Sequence, residues 1–191
     1  MVYIPKQGLK EHNLLNIIIM KLTFLLLFFT STTFNLIAQD FEIPNNYKLE
    51  TKNDYFNLEQ DVVKAVNWLI ENPADKQIEK RTKVHFFIFG WVKTNPYFIF
   101  DTSNEIATFL DSTDCIAIFI GGMAKYSIES KDYSDKYNKN LAGVKAVIEF
   151  YKKNKKIFKK NGYLKNTRKS IEKYIGLQEL NKLEKYIKDN I

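Results

Sequence analysis

The stretch Tyr137 to Lys160, YNKNLAGVKAVIEFYKKNKKIFKK, decides the fold. Leu141, Val144, Val147, Ile148 and Tyr151 recur at steps of three and four residues, while lysines, asparagines and Glu149 fill the positions between. That spacing gathers the apolar side chains into one stripe on a helix and leaves the other faces to solvent. Ala142 and Gly143 sit within the segment, and their small size lets a second helix come close. Gly143 gives up about 1 kcal/mol of helix propensity relative to alanine.

Upstream, CIAIFIGGMAKYSIES places Ile116, Phe119, Ile120 and Met123 on one helical stripe behind the capping residues Ser112 to Asp114. Its apolarity on all sides from Cys115 to Ile120 predicts a central, buried helix. Two further periodic segments end alike, in WLIENP (Trp68 to Pro73) and WVKTNP (Trp91 to Pro96). The residue before a proline avoids helical dihedrals, so each asparagine marks a helix end. The first of these helices runs from about Asn57 to Glu71, and the second carries Val84, Phe87, Ile88, Trp91 and Val92. Strands compete with helices over HFFIFGWV and Cys115 to Ile120, because both runs are short, β-branched and aromatic. Phe41 to Asp54 reads as an extended lead-in and Tyr97 to Phe100 as a short extended piece. Asp101 to Ser103 would cap a short helix bearing Ile106, Phe109 and Leu110, and Gly162 would close the organising helix. Two short amphipathic helices, separated at Gly176, finish the chain.

The segment in front of the domain is a leader. Lys21, the apolar run LTFLLLFF (Leu22 to Phe29) and a Thr/Ser-rich stretch reaching Ala38 have the order of a secretory signal peptide, cut after Ala38. Met20 is the expected true start, with residues 1–19 an upstream extension. Processing at Ala38 leaves 26 basic and 21 acidic residues, a net charge of +5. An uncleaved membrane anchor is the competing reading, but Lys21, Asn35 and the Thr/Ser block interrupt the roughly 20 apolar residues that a span needs.

GWVKTNP (Gly90 to Pro96), IFIGGMAKYSIE (Ile118 to Glu129) and NLAGVKAVIEFYKKNK (Asn140 to Lys155) resemble, in that order, the landmarks of a group of small secreted bacterial helical proteins with no assigned activity. Met123 stands where that group often carries tryptophan. The resemblance implies a helical fold over roughly residues 57 to 187, favours helix in both ambiguous segments and implies a periplasmic or secreted location. It brings no catalytic residues with it.

The chain is lysine-rich, and Arg81 and Arg168 are its only arginines. Arginine is the residue that grips phosphate and carboxylate through paired hydrogen bonds, so the composition argues against a nucleic-acid partner. The strongest charge feature is Lys152, Lys153, Lys155, Lys156, Lys159 and Lys160, a solvated helix face or a contact for an anionic partner. His85 is the one histidine of the processed chain and reads as a boundary residue with its ring edge near water; Cys115, the one cysteine, reads as buried. Neither supplies a metal-ligand spacing, and Gly121 with Gly122 reads as helix packing and not as a phosphate cradle. Carboxylates such as Asp111, Asp114, Glu129, Asp132 and Asp135 read as caps and turn residues. No catalytic residue and no cofactor is implied.

These readings combine into an all-α protein: a signal peptide (1–38), an extended lead-in (39–56) and a compact bundle of six or seven helices (57–191). The function expected is that of an exported, non-enzymatic binding or accessory protein of the cell envelope, engaging a protein, peptide or envelope component. A small envelope hydrolase using carboxylates with His85 is the first alternative, and a periplasmic immunity or inhibitor protein the second.

Overall fold

A computed structural model describes Met20 and residues 41–109, 111–160 and 162–191. The signal peptide and the start at Met20 concern residues that lie, Met20 apart, outside the described residues. Seven α-helices follow one another among the described residues: α1 (Lys52–Asn57), α2 (Glu59–Glu71), α3 (Ile78–Thr94), α4 (Thr113–Ser130), α5 (Lys136–Lys160), α6 (Lys165–Glu179) and α7 (Leu183–Asp189), with a 3-10 turn at Gly162–Leu164 before α6. The fold is all-α, and both segments open to a strand reading lie within helices, α3 and α4. None of the described helices is long and apolar enough to cross a membrane.

The core is arranged around α4, which packs against α2, α3 and α5. Its all-round apolarity matches its position: Cys115, Ala117, Ile118, Phe119, Met123, Ala124 and Ile128 are all buried. The α4–α5 contact is made close by glycine. A Cβ on Gly143 would stand 2.8 Å from the Phe119 carbonyl oxygen, and one on Gly122 would stand 2.8 Å from the Ala146 Cβ. Leu141, Val144, Val147, Ile148 and Tyr151 are buried along α5, on the stripe that their spacing requires. Asn72 and Asn95 end α2 and α3 in the same way, each extended and each donating its N–H to the tryptophan carbonyl four residues earlier.

Four local readings are corrected. The extended lead-in gives way to helix at Lys52, where Thr51 and Asp54 form a reciprocal capping box. The segment before it is docked on the core: Phe41 is buried beside Phe87, and the Tyr55 hydroxyl donates to the Leu49 and Thr94 carbonyls at 2.8 and 2.7 Å. The short helix expected after Ser103 is only a turn. Side chains of α6 take carbonyls that such a helix would have used: Tyr174 donates to the Ile106 oxygen and Ser170 to that of Thr108. Gly162 does not adopt the left-handed conformation of a C-terminal cap but opens the 3-10 turn. The break placed at Gly176 falls instead at Leu180 to Lys182, where Asn181 takes a φ of 55°.

Lys139 departs from the polar role that its place between stripe residues suggested. It is buried, and its ammonium donates to the Ile99 and Tyr133 carbonyls at 2.9 and 2.8 Å. Backbone oxygens in an irregular segment have no ladder partner, and a buried donor supplies one.

Candidate functional site

The site is built where α3 passes the C-terminus of α2 and the N-terminus of α4. Arg81 and His85 are four residues apart on α3 and so share a face. Ser112 caps α4, its hydroxyl accepting from the Cys115 N–H, which brings Asp114 into the first turn. A carboxylate there is favoured by the positive end of the helix dipole.

Asp114 Oδ1 receives three hydrogen bonds: from Arg81 Nε at 3.0 Å, from Arg81 Nη2 at 2.7 Å and from His85 Nε2 at 2.9 Å. Burial tends to raise the Asp114 carboxyl, but the hydrogen bond from His85 and the charge of Arg81 outweigh it and hold it below its ordinary value of 3.8. An ionised carboxylate only accepts, so His85 Nε2 carries the shared hydrogen.

Arg81 is 2% exposed and closes the accounts of two other elements. Its Nη1 donates to the Asn72 and Leu69 carbonyls at 3.1 and 3.4 Å, and Nη2 also reaches Leu69 at 3.4 Å. These oxygens belong to the last turn of α2, whose carbonyls have no partners within the helix. The guanidinium lies 5.4 Å from the Phe150 ring centre and 6.0 Å from that of Trp68, contacts that favour a cation. One side chain thus joins α2, α3, α4 and α5.

Beside this cluster opens a pocket of about 650 Å³. Its floor holds Arg81, His85 and Asp114, its lips Asp75 and Asp111, and its walls Ile78, Phe86, Phe89, Ile157, Phe158 and Leu164. Asn154 on α5 fixes the α2–α3 connection by accepting from the Ala74 N–H at 2.8 Å, which sets Asp75 at the rim. Phe86 is 70% exposed and Ile78 59%, so the apolar wall continues into solvent. Among the described residues no group of three or more His, Cys, Asp or Glu side chains converges closely enough to hold a metal ion.

The residues singled out in the sequence divide clearly. His85 is not a boundary residue: it is 9% exposed and bonded to Asp114. Asp111 and Asp114 share its pocket, whereas Asp132 and Asp135 cap the turn before α5, far along the chain from it. Cys115 is fully buried, and burial pushes its thiol up to about 12, which removes it as a nucleophile. Of the lysine block, Lys153 pairs with Glu71 and Glu149, while Lys152, Lys155, Lys156, Lys159 and Lys160 are exposed and have no ion-pair partner among the described residues. None of the six lines the pocket, although the same turn of α5 provides Ile157 and Phe158.

Sequence reasoning missed Arg81 and the pairing of Asp114 with His85. The available signal was the rarity of arginine: a chain that uses lysine almost everywhere keeps arginine where a planar fork of donors is required. Comparison of the chain with protein families, curated proteins and solved structures finds no match to any of them.

Proposed function

We propose that this is an exported binding protein of the cell envelope whose ligand seats in the pocket between α3, the start of α4 and the end of α5. The observation that carries the reading is the composition of that pocket: an apolar wall open to solvent above a polar floor built from a buried arginine, a histidine and an aspartate. Its size and its few convergent polar groups are those of small-molecule sites. Exposed aromatic surface such as Phe86 gains from being covered, at about 25 cal/mol per Å².

Amide shifts recorded while small aryl and alkyl compounds are titrated in test the site. Perturbations centred on Arg81, His85, Phe86 and Ser112, and weakened by Phe86→Ser, support it; a compound that binds and perturbs only other surfaces removes it. Export is tested separately by the N-terminus of protein recovered from a secreting host, expected at Gln39.

A second reading, a small envelope hydrolase, draws on the hydrogen bond between His85 and Asp114. A carboxylate that orients an imidazole leaves its other nitrogen free to take a proton from water. Turnover of nitrophenyl ester, phosphate or glycoside substrates, lost in His85→Gln, would favour this reading over simple binding.

A further inference from the structure

We infer that the pocket selects a cation-headed amphiphile, a primary ammonium or guanidinium group on an apolar body; this rests on the binding reading above. The argument begins with what the floor can still bond. Arg81 has five N–H donors, and Asp114, Leu69 and Asn72 occupy all of its nitrogens, so none is left to grip an anion. Asp114 spends only Oδ1 on its neighbours; Oδ2 accepts nothing from the protein and is not sealed from solvent. His85 makes no second hydrogen bond among the described residues, and its side chain is nine-tenths buried with Nε2 carrying the hydrogen shared with Asp114. Asp114 Oδ2 is therefore an acceptor without a donor among the described residues, on a side chain that lines the pocket. A ligand satisfies it by bringing a hydrogen-bond donor, and a cationic N–H group is the stronger donor to a carboxylate.

Charge points the same way. The positive charge of Arg81 is opposed directly by Asp114, and Asp75 and Asp111 add two carboxylates at the lips that have no hydrogen-bond or ion-pair partner among the described residues. Among the described residues no lysine lines the pocket of this otherwise basic chain. The lysine block nearby repels a cation at long range, but solvent and salt screen exposed charges, whereas a contact on the buried floor is screened far less. The walls of Ile78, Phe86 and Ile157 then accept the apolar remainder. A quaternary ammonium carries the charge without the donors and fits worse.

Calorimetric titration of the full-length protein with five compounds sharing one phenylbutyl body separates these terms: the primary amine, the guanidine, the trimethylammonium, the alcohol and the carboxylate. The amine and guanidine are expected to bind about tenfold or more tightly than the alcohol, as a hydrogen bond to a charged group is worth. The carboxylate is expected to bind weakest. Asp75→Asn/Asp111→Asn changes two exposed pocket side chains and is expected to lower amine affinity about threefold, within the range of exposed charge pairs, and to lower alcohol affinity less. Equal affinity across the five would overturn the cation assignment and leave the pocket standing; a trimethylammonium matching the amine would overturn the primary ammonium or guanidinium assignment by removing the need for N–H donors. Tightest binding by the carboxylate would overturn it in favour of the lysines. Absence of binding by all five, with no amide shifts at the pocket, would remove both the assignment and the site.

Discussion

At the scale of single residues, Asp114 holds the molecule's most consequential contacts, since one oxygen neutralises a buried guanidinium and orients the one histidine within residues 39–191. Removing one partner of a buried ion pair leaves the other uncompensated, so Asp114→Asn is expected to cost about 3 kcal/mol in urea unfolding. Arg81→Met in the Asp114→Asn background should recover part of that loss, because the charge that was stranded is then gone. The pH dependence has a definite sign. Asp114 titrates lower in the folded chain than its ordinary 3.8, so its contribution is present above that value and is lost as pH falls through the folded one. Asp54, Asp132 and Asp135 are also depressed, so the signature is the difference: Asp114→Asn should show a shallower fall in stability below about pH 4 than the parent. This pairing was not readable in the sequence, because positions 81, 85 and 114 meet only through the packing of α3 on α4. Ser112 and Asp114 were legible as a helix start, and that start is what aims the carboxylate.

Among elements, the α4–α5 contact sets the spacing of the bundle, and its glycines separate propensity from packing. Gly143 is in a helix, where alanine is intrinsically better by about 1 kcal/mol, yet its added methyl would meet the Phe119 ring at 2.7 Å and the Phe119 carbonyl oxygen at 2.8 Å. A backbone oxygen cannot rotate away, so the helices would have to part, and Gly143→Ala is expected to destabilise by about 1–3 kcal/mol. Gly176 is the contrasting case: it lies inside α6 with nothing within 4 Å of the Cβ position. Gly176→Ala should stabilise by about 0.5–1 kcal/mol. Thermal melts of the two single variants check both signs, and opposite shifts in Tm are the expected result. Period was sufficient to read α2 and α5, because a stripe is a local fact, whereas the short, aromatic and β-branched runs within α3 and α4 fit a strand as well. Lys139 and the turn after Ser103 were not legible, since each is decided by carbonyls or side chains supplied from another part of the chain. Gly176 failed as a boundary because its lower helix propensity is small beside the burial of Ile171 and Tyr174 on the same helix.

For the molecule as a whole, the distribution of charge has two poles. Five lysines with no ion-pair partner among the described residues project from the end of α5, because Tyr151, Asn154 and Phe158 turn the opposite faces of that helix inward. The carboxylates Asp75 and Asp111 stand at the pocket that the same turn helps to wall. If the lysines form a contact surface, and not only a solvated face, their effect must depend on their being together. Replacing Lys152, Lys155, Lys156, Lys159 and Lys160 by glutamine takes the net charge of residues 39–191 from +5 to neutral while touching no ion pair among the described residues, so stability should stay within about 0.5 kcal/mol. Replacing Lys48, Lys76, Lys93, Lys165 and Lys182, which are also exposed, changes the net charge equally but leaves the block intact. Co-sedimentation with phosphatidylglycerol-containing vesicles at low salt is expected to fall in the first variant and to persist in the second. For the parent it should weaken as salt shortens the Debye length to about 8 Å at physiological strength. Equal loss in the two variants would assign the attraction to net charge alone, and the block on α5 would then be a solvated helix face.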